Sequence, residues 1–153
     1  MPVSQPVSDR IVDNIVTTLD GIDGPNVSYF HTIRKVQKVT AGPADIGIYP
    51  YAEVAPGAAN MDTHTGIYRV VQFFDIFVAH DQASTPAQTI EELIHDIVQA
   101  LYVDQSRGDL AESTTIEGWE PDYPTDEADA ITWAVIRVVV RYRTADGDLT
   151  SSV

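Results

Sequence analysis

Ala130-Ile131-Thr132-Trp133-Ala134-Val135-Ile136-Arg137-Val138-Val139-Val140-Arg141-Tyr142-Arg143 alternates two kinds of side chain along its whole length. One side carries Ala130, Thr132, Ala134, Ile136, Val138, Val140 and Tyr142; the other carries Ile131, Trp133, Val135, Arg137, Val139, Arg141 and Arg143. A period of two over such a span predicts one long β-strand with one apolar face. At ~3.4 Å per residue the strand would reach roughly 45–50 Å. A compact chain of this length has a radius of gyration of about 15 Å and a diameter near 40 Å. The strand must therefore bend or protrude. Ile67 to His80 has similar length and alternation. Two such strands predict a curved or projecting sheet that a neighbouring copy completes.

Working outward, Ser8 is the expected N-cap of a first helix, with Asp9 in its first turn and Val7 stapled onto Val12. Its apolar stripe is Ile11, Val12, Ile15, Val16 and Leu19, and Gly21 and Gly24 end it. Two weaker strands follow, near Tyr29 to Val39 and Asp45 to Val54, divided by the turn Ala41-Gly42-Pro43. Pro50 demotes the second to an edge or bulged strand, because proline has no N–H for a ladder. Ala55 to Gly66 is small, polar and without period, which predicts a long flexible loop.

After the strand Ile67 to His80, Thr85 as N-cap, Pro86 at the first helical position and Gln88 closing a capping box predict a second helix. Ile90, Leu93, Ile94, Ile97, Val98 and Leu101 form its buried stripe, with Glu91, Glu92, Asp96 and Gln99 expected to face outward. A short strand, Ser113 to Trp119, and an acidic loop precede the closing long strand. The order α-β-β-β-α-β-β predicts one α+β domain over residues 1–153, with disordered termini. Its sheet is mainly antiparallel, with two helices on one face. Two helices cover one face only, so Trp133, Arg137, Arg141 and Arg143 form a candidate subunit interface on the other. The alternative is that these arginines pair with acids such as Asp75 and reach into solvent.

With 153 residues, the chain can bury a full core without metal or cross-links, and it contains no cysteine for disulfides or thiolate sites. The first residues show neither a basic start nor an apolar run, so no secretory signal is expected. The most apolar window, Val70 to Ala79, is broken by Gln72 and Asp75, so no membrane span is expected. A formal net charge of −14 argues against a dedicated nucleic-acid binder, whose affinity comes from neutralising phosphates. The acids crowd between Asp104 and Asp129, where Asp104, Asp109, Glu112, Glu117, Glu120, Asp122, Asp126, Glu127 and Asp129 face Arg107 alone. Such a run reads as a solvated loop or as a repulsive wall.

Signatures of chemistry are missing. There is no phosphate loop, dinucleotide fingerprint, nucleophile elbow or H-E-x-x-H string. Glu92-Leu93-Ile94-His95 has the E-x-x-H spacing of di-iron bundles, but such sites need four helices and a second copy of the motif. The acids of Asp122 to Asp129 suit a hard cation by type, yet their spacing matches no EF-hand. His31, His64 and His80 have no serine or acid at a recognisable catalytic spacing. Asn26-Val27-Ser28 fits a glycosylation acceptor, which matters only for a secreted chain. The expectation is a protein without enzymatic activity and without cofactors.

The whole layout resembles the tail terminator proteins of long-tailed bacteriophages and their neck-protein relatives. The resemblance is carried by the opening helix Ser8 to Leu19, by Ile46-Gly47-Ile48-Tyr49-Pro50-Tyr51, and by Tyr68 to Ala79 leading into Ile90 to Leu101. It continues through Asp109-Leu110-Ala111, Thr115-Ile116-Glu117-Gly118-Trp119, Ala134 to Thr144 and Gly147-Asp148. It implies helices on one face of a sheet and a homo-hexameric ring at the head-proximal end of a tail tube. There the ring would end tube polymerisation and join a head-completion or connector protein. It further implies assembly in the host cytoplasm, a final place in the virion neck, and no membrane partner.

The acids Glu117, Glu120, Asp122, Asp126 and Glu127 would line a channel through which DNA passes without specific binding. The loop residues Gly57, Asn60, Met61, Asp62 and His64 would touch the tail tube, and deleting 57–64 would then spare the fold while abolishing capping. An idle loop is the alternative. A stopper protein one layer higher in the neck fits the same layout. Outside this class stands a small cation-binding α+β module.

Overall fold

The long alternating segment is a central strand. The computed structural model describes residues 4–24, 28–39, 47–81, 84–123, 131–145 and 147–153. In it, β5 (Thr132–Ala145) pairs along its whole length with β3 (Ile67–His80), from Ile67 opposite Ala145 to His80 opposite Thr132. On the far side of β3 lies β2 (Tyr51–His64), then the short β1 (Lys35–Lys38); on the far side of β5 lie β4 (Ser113–Asp122) and β6 (Asp148–Ser152). Every pairing is antiparallel except β1 with β2. Helices α1 (Val7–Asp20) and α2 (Pro86–Val103) complete the order, so the α+β architecture is the one expected.

Alternation dictates how the layers meet. On β5, Thr132, Ala134, Ile136, Val138, Val140, Tyr142 and Thr144 are all buried, and on β3 so are Val70, Gln72, Phe74, Ile76, Val78 and His80. Onto this face α1 lays Val7, Ile11, Val12, Ile15 and Leu19, and α2 lays Ile90, Leu93, Ile94, Ile97 and Leu101. A fully buried aliphatic side chain contributes roughly 1.5–3 kcal/mol, so this double layer is the main source of stability. Val16 is only partly buried at its margin.

Several local expectations fail for identifiable reasons. Ser8 lies inside the first turn, because Pro6 takes the cap position and its carbonyl accepts the Asp9 and Arg10 N–H groups, both at 3.1 Å. Val7 is therefore a core residue of α1 rather than a staple. Thr85 and Pro86 do start α2, but no capping box closes: Gln88 donates to Glu92 instead, at 2.8 Å. Asp96, expected outside, is fully buried. The strand near Tyr29 to Val39 shrinks to β1, because the backbone of Phe30 and His31 is engaged by α2. Pro50 precedes β2 instead of weakening it, and the start of β2 is internal, between β1 and β3. The terminal residues 148–152 form β6 rather than a disordered tail. Ala130, the turn Ala41-Gly42-Pro43, Asp45, Ile46, Asn26 and Val27 lie outside the described residues.

The largest correction concerns residues 55–66. They are not a loop: β2 runs to His64, and a two-residue turn at Thr65-Gly66, with Gly66 at φ +75°, hands the chain to β3. Alternation marks a strand with one buried face, and residues 56–66 are exposed throughout. A strand wet on both faces has no reason to alternate.

Candidate functional site

Two surfaces built by the long strands stand out, the hairpin arm and the uncovered sheet face. The arm begins at Gly57, inside a bulge between Pro56 and Ala59, where an added Cβ would lie 3.0 Å from the Phe73 carbonyl oxygen. The buried Gln72 donates to the Gly57 carbonyl at 3.3 Å, and the Tyr142 hydroxyl donates to Gln72 Oε1 at 2.7 Å. Gly57 is thus the anchored base of the arm. Beyond it, Asn60, Asp62 and His64 stand opposite Val71, Arg69 and Ile67, while Met61, opposite Val70, is 55% exposed. His64 Nε2 lies 3.9 Å from Asp62 Oδ2. Four of the five residues expected to touch a partner therefore share the exposed outer half of β2, paired with β3 on one side. Because residues 57–64 belong to a paired strand, deleting them would remove half of β2, so substitution is the sound test.

The other surface is the sheet face turned away from the helices. Trp133, Arg137, Arg141 and Arg143 all lie on it, with Phe73, Asp75, Phe77 and Tyr51 beside them. Arg137 Nε donates to Asp75 at 3.0 Å, and its guanidinium lies 5.7 Å from the Phe73 ring centroid. Trp133 is 40% exposed and tilts against Phe77 at 6.5 Å between centroids. Arg143 pairs with Glu112. The expected alternative, pairing within the chain, thus holds for Arg137 and Arg143, whereas among the described residues Arg69 and Arg141 have no ion-pair partner.

Tyr49, Tyr51, Glu53, Phe77, Ile131 and Trp133 frame a shallow groove of about 340 Å³ at one end of this face. Tyr51 donates its hydroxyl to Glu53, which also accepts from Gln37 at 3.0 Å. Burial, followed by the Glu53 carboxylate, pushes the Tyr51 phenol far up, so it stays protonated.

The acids placed in a separate channel group turn out to border the arginines. Asp122 is opposite Trp133 and Glu120 opposite Val135, and Glu117 sits in a bulge beside Gly118, itself opposite Arg137. Asp126 and Glu127 lie outside the described residues.

A third cluster, on the helix side, escaped the sequence reading. Asp96 accepts the N–H groups of Phe30 and His31, each at 2.9 Å. His31 Nε2 meets Glu92 at 2.6 Å, and His95 packs edge-on against Phe30 at 5.3 Å. Glu92 and His95, one turn apart, thus have different partners, and no group of three or more metal-ligating side chains occurs among the described residues. The cluster pins the chain before β1 onto α2. Its only advance signal was an acid at i+3 from Leu93, inside the apolar stripe rather than opposite it.

His80 is buried beside this cluster, with Nε2 3.3 Å from the Pro86 carbonyl, which fixes the ring proton on Nε2. Burial holds its pKa below the ordinary 6.5. A depressed histidine contributes stability above pH 6.5 and loses it as pH falls toward the folded pKa. Denaturant unfolding should therefore show stability declining below about pH 6.5. The decline should flatten in His80→Gln; an unchanged slope would remove His80 as its source.

No family model matches the chain, and no curated protein matches it. Among solved structures, a chain of the "Virion of native gene transfer agent (GTA) particle" matches with 13% identity and a TM-score of 0.39, covering 91% of this chain and 92% of that one. Likeness at this level carries no statement about the role of this protein. No described helix is long and apolar enough to cross a membrane.

Proposed function

We propose that the chain is a structural, non-catalytic virion protein of the tail-terminator kind. Copies close into a hexameric ring that ends tail-tube polymerisation at the head-proximal end and joins the tail to a head-completion or connector protein. The observation that carries the reading is the edge of the sheet along β2: residues 56–66 are exposed throughout, and among the described residues this stretch of strand pairs only with β3, leaving its other side bare. A lone molecule gains little burial from ordering such an edge strand, against a backbone cost of about 1–2 kcal/mol per residue. A neighbour that packs on it supplies the missing term. Heterologous contacts through the arm and the outer sheet edges close rings when the rotation between copies closes. The acidic balance supports passage of DNA without retention, because like charge binds no phosphate.

Electron microscopy of the purified protein mixed with its tail tube tests this directly. Rings seated on one tube end, with tube length no longer growing, are expected; tubes that keep elongating with free protein in solution sink the reading. Met61→Asp together with Asn60→Asp places charge at exposed arm positions and should leave the thermal midpoint within a few degrees while lowering tube capping at least tenfold. Capping at the wild-type level would show that the arm is idle. A stopper role in the neck predicts instead binding to the connector side with no effect on tube growth.

A further inference from the structure

The uncovered sheet face is electrically polar along its strands. At the arm end it carries Arg69, Arg141 and Arg143, against Asp62 opposite Arg69 and Glu112 paired with Arg143; Arg69 is also directly opposite Arg143 across β3 and β5. Like charges placed opposite one another destabilise a sheet by themselves. At the other end it carries Glu53, Glu120 and Asp122 in the rows of Val135 and Trp133, against the single base Lys35 opposite Tyr51. Between the ends lie Val71, Phe73 and Val139, and the internally neutralised pair Asp75–Arg137. Five of the nine basic residues of a strongly acidic chain, Lys35 and four arginines, thus share one face with an aromatic groove and the acids Glu53, Asp62, Asp75, Glu120 and Asp122.

We infer that this face docks onto the same face of a second copy, about a two-fold axis lying between the sheets and across the strands at the level of Val138. Both charged ends point the same way on one molecule, so they meet only face to face. An axis along the strands would set arginine on arginine; the axis across them sets each arginine end on the acidic end of its partner. The row of Arg69 and Arg143 then covers the row of Tyr51, Trp133 and Asp122, and the row of Arg141 covers that of Glu53, Val135 and Glu120. An aromatic groove rimmed by carboxylate is what a guanidinium prefers, through stacking and charge-assisted hydrogen bonds.

The dimensions agree. Four strands about 4.8 Å apart and ten residues at about 3.4 Å make a patch of roughly 650 Å² on each copy. The ~1,300 Å² total falls within the ~1,200–2,000 Å² of stable interfaces. The contact is isologous and closed, so it describes the free protein, whereas ring closure on a tail tube uses the arm and the sheet edges.

Sedimentation equilibrium of the full chain should give twice 16.8 kDa. The variant Arg69→Glu with Arg141→Glu, and the variant Glu120→Arg with Asp122→Arg, change exposed side chains only. Each alone should weaken dimerisation at least tenfold, and mixing them in equal amounts should restore it, because each basic end then meets an acidic end. Circular dichroism checks that both remain folded; if either unfolds, Arg141→Gln and Glu120→Gln supply the same comparison. A monomeric wild type, an assembly whose mass neither variant alters, or a mixture that stays dissociated overturns the proposal. None of these outcomes bears on whether rings cap tubes, which microscopy reads separately.

Discussion

Asp96→Ala should destabilise the protein by about 3–4 kcal/mol, more than most surface or partly buried substitutions. The carboxylate is fully buried and takes two backbone N–H groups at 2.9 Å from a segment more than sixty residues away in sequence. Hydrogen bonds to a charged acceptor contribute roughly 1.5–3 kcal/mol each, and alanine would leave both donors without a partner. Chemical denaturation should show the loss in the midpoint with little change in slope, and the thermal midpoint should fall by roughly 10 °C for a chain of this size. Asp96→Asn keeps one acceptor oxygen and should lose about half as much. If Asp96→Ala unfolds within ~0.5 kcal/mol of wild type, the segment before β1 is not anchored through α2.

Arg107 offers the second large effect, and a sharper contrast. Its side chain is fully buried and donates to the Leu101 carbonyl in the last turn of α2, where positive charge also complements the helix dipole. The turn that presents it is tied by Asp104, which accepts from Ser106 N at 3.0 Å, Ser106 Oγ at 2.7 Å and Gly108 N at 2.7 Å. These bonds, the Ser106 hydroxyl first, hold the Asp104 carboxyl below its usual range. Arg107, Gly108 and Asp109 all have positive φ, at 52°, 66° and 65°. Burial pushes the guanidinium pKa down, and Asp104 offsets part of that.

Truncation to alanine loses the packed stem and the carbonyl's partner together, so Arg107→Ala should cost about 2–4 kcal/mol. Arg107→Met fills the same space without a buried charge and should stay within about 1 kcal/mol of wild type. Equal losses in the two variants would show that the charge, rather than the volume, is what the site requires.

These two residues also show where sequence reading ends. The stripe Ile90, Leu93, Ile94, Ile97 and Leu101 was legible because burial of one helix face leaves a period of 3.6 in the chain. Asp96 sits within that stripe, and its burial depends on two N–H groups that arrive from a distant segment. Arg107 was read as the lone base in an acidic run, and its insertion beneath α2 follows from a turn with three consecutive positive-φ residues. Of the candidate site, Trp133, Arg137, Arg141 and Arg143 were legible as one face because a strand's period is two. That Glu120 and Asp122 border this face was not, since the register between β4 and β5 contains a bulge at Ile116 and Gly118 that no local signal announces.

By itself the sequence determined the two long strands, the two helices, the buried stripes and the acidic balance, because each is written in the order of apolar and polar residues along a short span. Only the tertiary structure decided that residues 55–64 are a strand, that Gly57 anchors the arm, and that arginines and acids share the open face. Those features rest on pairing between distant segments, and a strand exposed on both sides, or a register fixed by a bulge, imposes no pattern on its own residues.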